Sequence, residues 1–157
     1  MGFNSLGPIC FESVSAVTAT NSVELGTRRT YNGEDYIYVY AQGTVSASVG
    51  ATISGLSGYS VVATGLISGA LCVGFAKHAD IPAGSYGWLL TRGFLSSPVN
   101  GMAGSTLAAV DNVVLAADGK IAQSQTYTQV IVGRMLTTCV SGGTGGSNTG
   151  AIFVRVY

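Results

Sequence analysis

Chemistry in a protein needs side chains that can place a proton, a metal or an electron pair, and this chain offers few of them. His78 is the sole histidine, with Asp80 two positions on and serines throughout, so a Ser-His-Asp hydrolase is the first arrangement to weigh. A triad needs a base that is oriented by one group while it touches another. His78 and Asp80 instead stand where a predicted strand runs into the turn Pro82-Ala83-Gly84, and no GxSxG elbow nominates a nucleophile. They read as a loop histidine beside a turn aspartate.

Paired carboxylates for glycoside hydrolysis would have to come from Glu12, Glu24, Glu34, Asp35, Asp80, Asp111 and Asp118. Most flank turns or the N-terminal stretch, where a carboxylate commonly bonds its own backbone. One histidine and no Asp/Asn-rich loop leave no metal-ligand pattern. Cys10, Cys72 and Cys139 are odd in number and lie in no CxxC or Cys/His spacing, which suits buried free thiols better than zinc or a disulfide framework. The glycine-rich stretch Ser141–Gly150 has no lysine and leads into a strand, so it is not a phosphate cradle but a flexible loop. No catalytic residue, metal or cofactor is expected.

Two groups point to contacts rather than catalysis. Tyr36, Tyr38 and Tyr40 recur with period two and form a row on one strand face. Such a row can stack on sugar rings in a lectin-like module, pack at an oligomer interface, or pack within a sheet; sheet or interface packing is the more ordinary use. Arg28-Arg29 lies near Glu24 and before Glu34-Asp35. It is either a contact with a partner or a locally balanced cluster on an exposed turn. Ahead of both, Phe3, Leu6, Ile9 and Phe11 are spaced by Gly, Pro and Ser, the composition of an extended arm.

The elements that would position these residues are strands. Asn32-Gly33 is a tight-turn dipeptide, and Tyr36–Ala41 after it alternates aromatic and aliphatic residues. Tyr59–Ala63, Ala70–Lys77, Tyr86–Arg92, Val113–Ala116, Lys120–Gln125, Thr128–Leu136 and Ala151–Tyr157 follow as further candidate strands. Ile81–Tyr86 carries a Pro-Gly turn, and Asp118-Gly119 suggests a two-residue antiparallel hairpin. Gly74 and Gly133 sit at the same internal point of two apolar strands, as expected where barrel strands bend or approach closely. Only Gly104–Val110 hints at helix. The expected fold is all-β, a small antiparallel β-barrel or sandwich spanning residues 23–157, with an extended arm over residues 1–22.

Composition limits the partners. Charged residues are 9% of the chain against roughly 25% in an average domain, and seven Lys+Arg balance seven Asp+Glu. No net field draws nucleic acid or anionic lipid. Apolar runs stop well short of the roughly 18–20 residues of a membrane span, and residues 1–13 lack the basic and apolar regions of a secretory signal. Synthesis in a cytoplasm is expected. So sparse a charge surface resists association poorly and suits a protein destined for an assembly.

From Val23 to Tyr157 the order of motifs resembles the small head decoration, or cement, proteins of tailed bacteriophages. The resemblance is carried by Leu25-Gly26-Thr27, Val73-Gly74-Phe75-Ala76 and the hairpin from Ile81 to Trp88 leading to Arg92-Gly93. It continues through Leu115–Lys120 and the last strand, Ile152-Phe153-Val154-Arg155-Val156-Tyr157. What the resemblance implies is a non-enzymatic β-barrel, commonly a homotrimer, on the outer surface of a virion. There it would bind the major capsid protein and clamp neighbouring subunits against internal DNA pressure. The arm residues Phe3, Leu6, Ile9 and Phe11 are the candidate capsid contacts. The other reading is a receptor- or carbohydrate-binding β module of a virion fibre or tail.

Overall fold

The alternation from Tyr36 to Ala41 forms the centre of the fold. In the computed structural model, which describes residues 12–54, 59–63, 71–101, 106–124, 131–140 and 149–156, this segment belongs to strand β2 (Glu34–Ala41). The other strands are β1 (Arg28–Tyr31), β3 (Gly50–Ile53), β4 (Ser60–Val62), β5 (Cys72–Phe75), β6 (Tyr86–Ser96), β7 (Thr106–Leu107), β8 (Asn112–Leu115), β9 (Ile121–Gln123), β10 (Ile131–Val140) and β11 (Thr149–Arg155). Pairing runs β1-β2-β4-β3-β5-β6-β11-β10-β8-β9, with β7 on β10 and β2 also paired to β6. That last pairing closes β2, β4, β3, β5 and β6 into a barrel of five strands. Beyond the barrel, β6 continues into a second layer of β11, β10, β8 and β9.

Two cores follow from this sharing. Ile37, Val39 and Ala41 of β2 meet Ala51, Val61, Val73 and Leu89 in one cluster. Tyr36 and Tyr38, on the opposite face of β2, join Phe75, Trp88 and Leu90 in a second cluster with Val113, Val132, Met135, Ile152 and Val154 of the second layer. A strand covered on both faces loses the apolar-polar alternation of a half-exposed one. β6 shows both regimes: from Gly87 to Thr91 every residue is buried, and from Arg92 to Ser96 exposed and buried residues alternate.

Turn chemistry holds the register. Asn32 (φ 50°) and Gly33 (φ 78°) form a two-residue hairpin loop between Tyr31 and Glu34, as the dipeptide predicts. Asp118-Gly119 also turns an antiparallel pair, β8 and β9, but with a loop of three residues, Ala117–Gly119, closed by Ala116 N–H donating to Lys120 O at 2.6 Å. Asp118 and Gly119 both have positive φ. Gly74 and Gly133 lie where strands crowd: a Cβ would stand 2.7 Å from Leu90 O at the first and 2.6 Å from Phe153 O at the second. Register shifts adjoin both glycines, the bulge that strand glycines commonly mark.

Several expectations move. Arg28-Arg29 lies in β1 rather than on an exposed turn, because the Asn32-Gly33 hairpin pairs this segment with β2. β3 is a strand that its small residues conceal. Gly104–Val110 is not helical where described; Thr106–Leu107 pairs with Cys139 and Val140, and residues 102–105 lie outside the described residues. β6 runs on to Ser96 and β10 to Val140, because the second layer supplies them with partners. Among the described strands the pairing is antiparallel except for β2 with β4, which is parallel. Residues 141–148 of the glycine-rich stretch are not described.

Gly119 provides a test of the contact between layers. A Cβ there would lie 2.1 Å from Gly50 O, and its φ is +71°, so backbone in β3 blocks any side chain. Gly119→Ala is expected to cost about 2 kcal/mol or more through overpacking and strain. Gly33→Ala, where φ is +78° but nothing lies within 4 Å, is expected to cost about 1 kcal/mol. Thermal unfolding of the two variants beside the wild type measures the difference.

Candidate functional site

The residues with the greatest chemical potential do come together, though not as a triad. Glu34 opens β2, Tyr36 follows two residues on, and Lys77 and His78 come just after β5. Lys77 Nζ lies 2.7 Å from Glu34 Oε1 and 2.6 Å from Oε2. Phe94 N–H donates to Oε1 at 2.9 Å, and Tyr36 O–H to Oε2 at 2.6 Å. His78 Nε2 lies 3.1 Å from Tyr36 Oη, with the rings stacked at 5.8 Å. Because the tyrosine proton is committed to Glu34, the histidine is the donor in that contact.

This arrangement occupies its own chemistry. Each Glu34 oxygen accepts twice, so no lone pair is left for a substrate proton. Burial raises the Glu34 pKa, but hydrogen bonds from Lys77, Tyr36 and Phe94 outweigh it, and the net shift is downward. Tyr36 is pushed upward by burial and by the adjacent carboxylate. His78 is held below its ordinary value by burial and the Lys77 charge, against the pull of Glu34. A base pinned to its carboxylate form, a phenol that resists ionisation and a neutral histidine make a structural staple. Its place is the corner where β6 leaves the barrel: Gly93, with φ 145°, passes so close to Glu34 that a Cβ would meet its Cγ at 2.8 Å.

The other sequence candidates separate. Asp80 does not orient His78; its Oδ1 accepts from Ala47 N–H at 2.6 Å and ties one loop to another. Asp35, on the opposite face of β2 from Glu34, accepts from Thr30 and Arg92. Asp111 accepts from Ala108 N–H and from Gln123, a turn carboxylate of the expected kind. Among the described residues no group of three or more His, Cys, Asp or Glu is placed to hold a metal. Tyr36 and Tyr38 are sheet packing, buried within one chain. Two rings so covered cannot stack on a sugar, and Tyr40, half-buried, packs at 5.0 Å on Tyr86. Arg29 donates to the Glu12 carbonyl and lies 5.6 Å over the Tyr31 ring.

Part of the N-terminal stretch lies on the body. Val14 is buried in the second core, Thr18 pairs with Tyr86 through hydrogen bonds of 3.0 and 2.8 Å, and Ser22 Oγ reaches Tyr38 Oη at 3.2 Å. Residues 12–22 thus cover the tyrosine face. Phe3, Leu6, Ile9, Phe11 and Cys10 lie outside the described residues. A recess of about 120 Å³ at Arg28, Ile53, Tyr59, Leu71 and Val156 is smaller than the roughly 300–1,000 Å³ of a typical small-molecule site. Sequence reading missed the outer face of the second layer, where Phe94, Leu136 and Phe153 are exposed. Its signal, an apolar residue in the outward phase of a strand, becomes visible only once the register is known.

No family model matches the chain, and no curated protein matches it. Among solved structures, the chain is similar to the N base of head fiber gp8.5 of bacteriophage phi29, with a TM-score of 0.51 and 14% identity over 77% of this chain and 94% of that one. At that identity the likeness is one of fold.

Two measurements probe the site. Glu34 and His78 both have folded pKa values below their ordinary 4.5 and 6.5, so each adds stability that is complete above those values and is lost as pH falls through the folded ones. The melting midpoint is expected to fall on acidification, first below pH 6.5 and further below 4.5, with Glu34→Gln removing the second phase. At neutral pH, Glu34→Gln is expected to cost about 2 kcal/mol through the loss of charged hydrogen bonds, or about 4–8 °C. Separately, burial pushes the Cys72 thiol up to about 12, against a Gly74 backbone hydrogen bond, and also raises Cys139. Both are free and buried. Native protein at neutral pH should resist alkylation at these two, and denatured protein should take up the label at both, as intact mass will show.

Proposed function

We propose that this chain is a non-enzymatic structural protein of a phage virion, which binds the outer surface of the capsid and stabilises it by clamping neighbouring major capsid subunits. The observation that carries the reading is the shared fold with a phage head fiber base, extending over nearly all of that neighbour. Two physical features support it independently. The described titratable cluster is consumed in stapling strands rather than left open to a substrate, and a chain with charged residues at only 9% has a surface suited to assembly.

In this reading the protein is a closed homo-oligomer, most simply a trimer, with the stretch containing Phe3, Leu6, Ile9 and Phe11 reaching the shell. A cyclic oligomer offers several weak contacts at once on one lattice, and effective concentration multiplies them. The second reading, a receptor- or carbohydrate-binding module of a virion fibre, is favoured by the same neighbour, the base of a head fiber. The tyrosine row does not serve it.

The test is co-sedimentation of the full chain, and of a form lacking residues 1–11, with capsids of the virus whose genome carries this sequence. The full chain is expected to pellet with the shells and to scatter light as a trimer; the shortened form should fold and bind less. Since a ligand of the intact shell alone stabilises it by mass action, decorated capsids should also survive more heat. A full chain that stays in the supernatant as a monomer contradicts the reading, and specific glycan binding with no capsid binding replaces it with the second.

A further inference from the structure

Strand β11 buries Ile152 and Val154 and turns Phe153 and Arg155 outward; the register then decides what surrounds them. Phe153 stands opposite Phe94 on β6 and Arg134 on β10. Arg134 in turn stands opposite Asn112 on β8. Adjacent strands lie about 4.8 Å apart, so these four residues form one unbroken cross-strand row, aromatic at one end and cationic towards the other. Leu136 continues the apolar part on the same face of β10. Val110 lies beside Arg134, whose Nε donates to its carbonyl at 3.0 Å. Phe94, Phe153, Leu136 and Val110 are 46%, 39%, 48% and 65% exposed. Single exposed apolar side chains are ordinary, but a contiguous set rimmed by polar groups marks an interaction surface.

Charge selects the occupant. Arg155 stands directly opposite Arg92 in the register, although like charges facing one another across strands destabilise a sheet. With Arg134, this part of the fold gathers three of the chain's seven Lys+Arg, and Asp35 lies 3.4 Å from Arg92. Two copies meeting through this face about a two-fold axis would set one arginine-rich patch against another, a costly juxtaposition, and the contacts of a three-fold oligomer do not pair a face with itself. A surface with carboxylates around an apolar centre would satisfy both halves of the pattern, and aromatic residues with arginine are the side chains that dominate binding energy at protein interfaces. We propose that the outer face of β6, β11 and β10 docks onto such an acidic-rimmed apolar protein surface and, resting on the functional reading above, that this surface belongs to the capsid exterior.

The full chain, Phe94→Ser/Phe153→Ser and Arg134→Glu/Arg155→Glu, each checked for fold by circular dichroism, would be titrated against capsids lacking the protein at low and high salt. Both double variants are expected to bind about tenfold or more weakly than wild type. Wild-type affinity should fall with salt, and the charge-reversed form should lose that dependence. The charge reversal alters only exposed side chains, so it keeps the proposal testable even if the serine pair unfolds. Wild-type binding with both folded variants equal to it overturns the face and leaves the capsid reading intact. Absence of wild-type binding removes the capsid reading and this proposal together. Variants whose light-scattering mass drops along with capsid binding would show that a second copy occupies the face, which also overturns the proposal.

Discussion

Strand β6 has to belong to two sheets, and the rest of the structure depends on how it does so. Its first half is a barrel stave, buried on one side by Leu89 against Ile37 and Val39 and on the other by Trp88 and Leu90 against the tyrosines. Its second half is the inner strand of a layer with one face in solvent. The change falls at Gly93, whose extended but positive-φ backbone leaves room for Glu34. Glu34 then grips both sides of the corner, accepting from Phe94 N–H on β6 and from Lys77 beyond β5. A partly buried carboxylate is costly alone, but one that receives a cation, a phenol and a backbone N–H is well satisfied.

The functional consequence lies on the far side of that corner. Glu34 holds the Phe94 backbone N–H, and the register of β6 with β11 turns the Phe94 side chain outward beside Phe153. A shift of one residue would carry these aromatics into the core and bring Leu95 to the surface. The ionisable cluster that first suggests catalysis is, in its geometry, a staple at the corner from which the proposed docking face extends. Residues 12–22 lie over the opposite side, at Tyr38 and Tyr86.

How much of this was legible in the sequence depends on whether the signal is local. Asn32-Gly33, Asp118-Gly119 and the Gly74 and Gly133 positions each carry their conformation in the residue type, so turns and bulges could be read, with an error of one residue in the second loop. Tyr36–Ala41 declared itself a strand by period two. It could not declare that both its faces are covered, because that depends on β11 and β10, ninety or more residues away in sequence. β3, built from Gly50-Ala51-Thr52-Ile53, has weak strand propensity and exists because Val61, Phe75 and their neighbours pair with it. Asp80 bonds Ala47 rather than His78, and the contact of His78 with Tyr36 arises only when β2 and the end of β5 converge. The exposed aromatics escaped notice for a related reason: Phe94 and Phe153 are fifty-nine positions apart and become neighbours through register alone.

The central proposal is that the β-body meets a capsid through the outward side of its second layer. Electron cryomicroscopy of the decorated capsid tests this most directly. Density is expected on the shell exterior into which the barrel fits with Phe94, Phe153 and Arg134 against the capsid protein, opposite carboxylates on that surface. Density that fits only with this face turned to solvent, or a capsid that carries none of the protein, would contradict it.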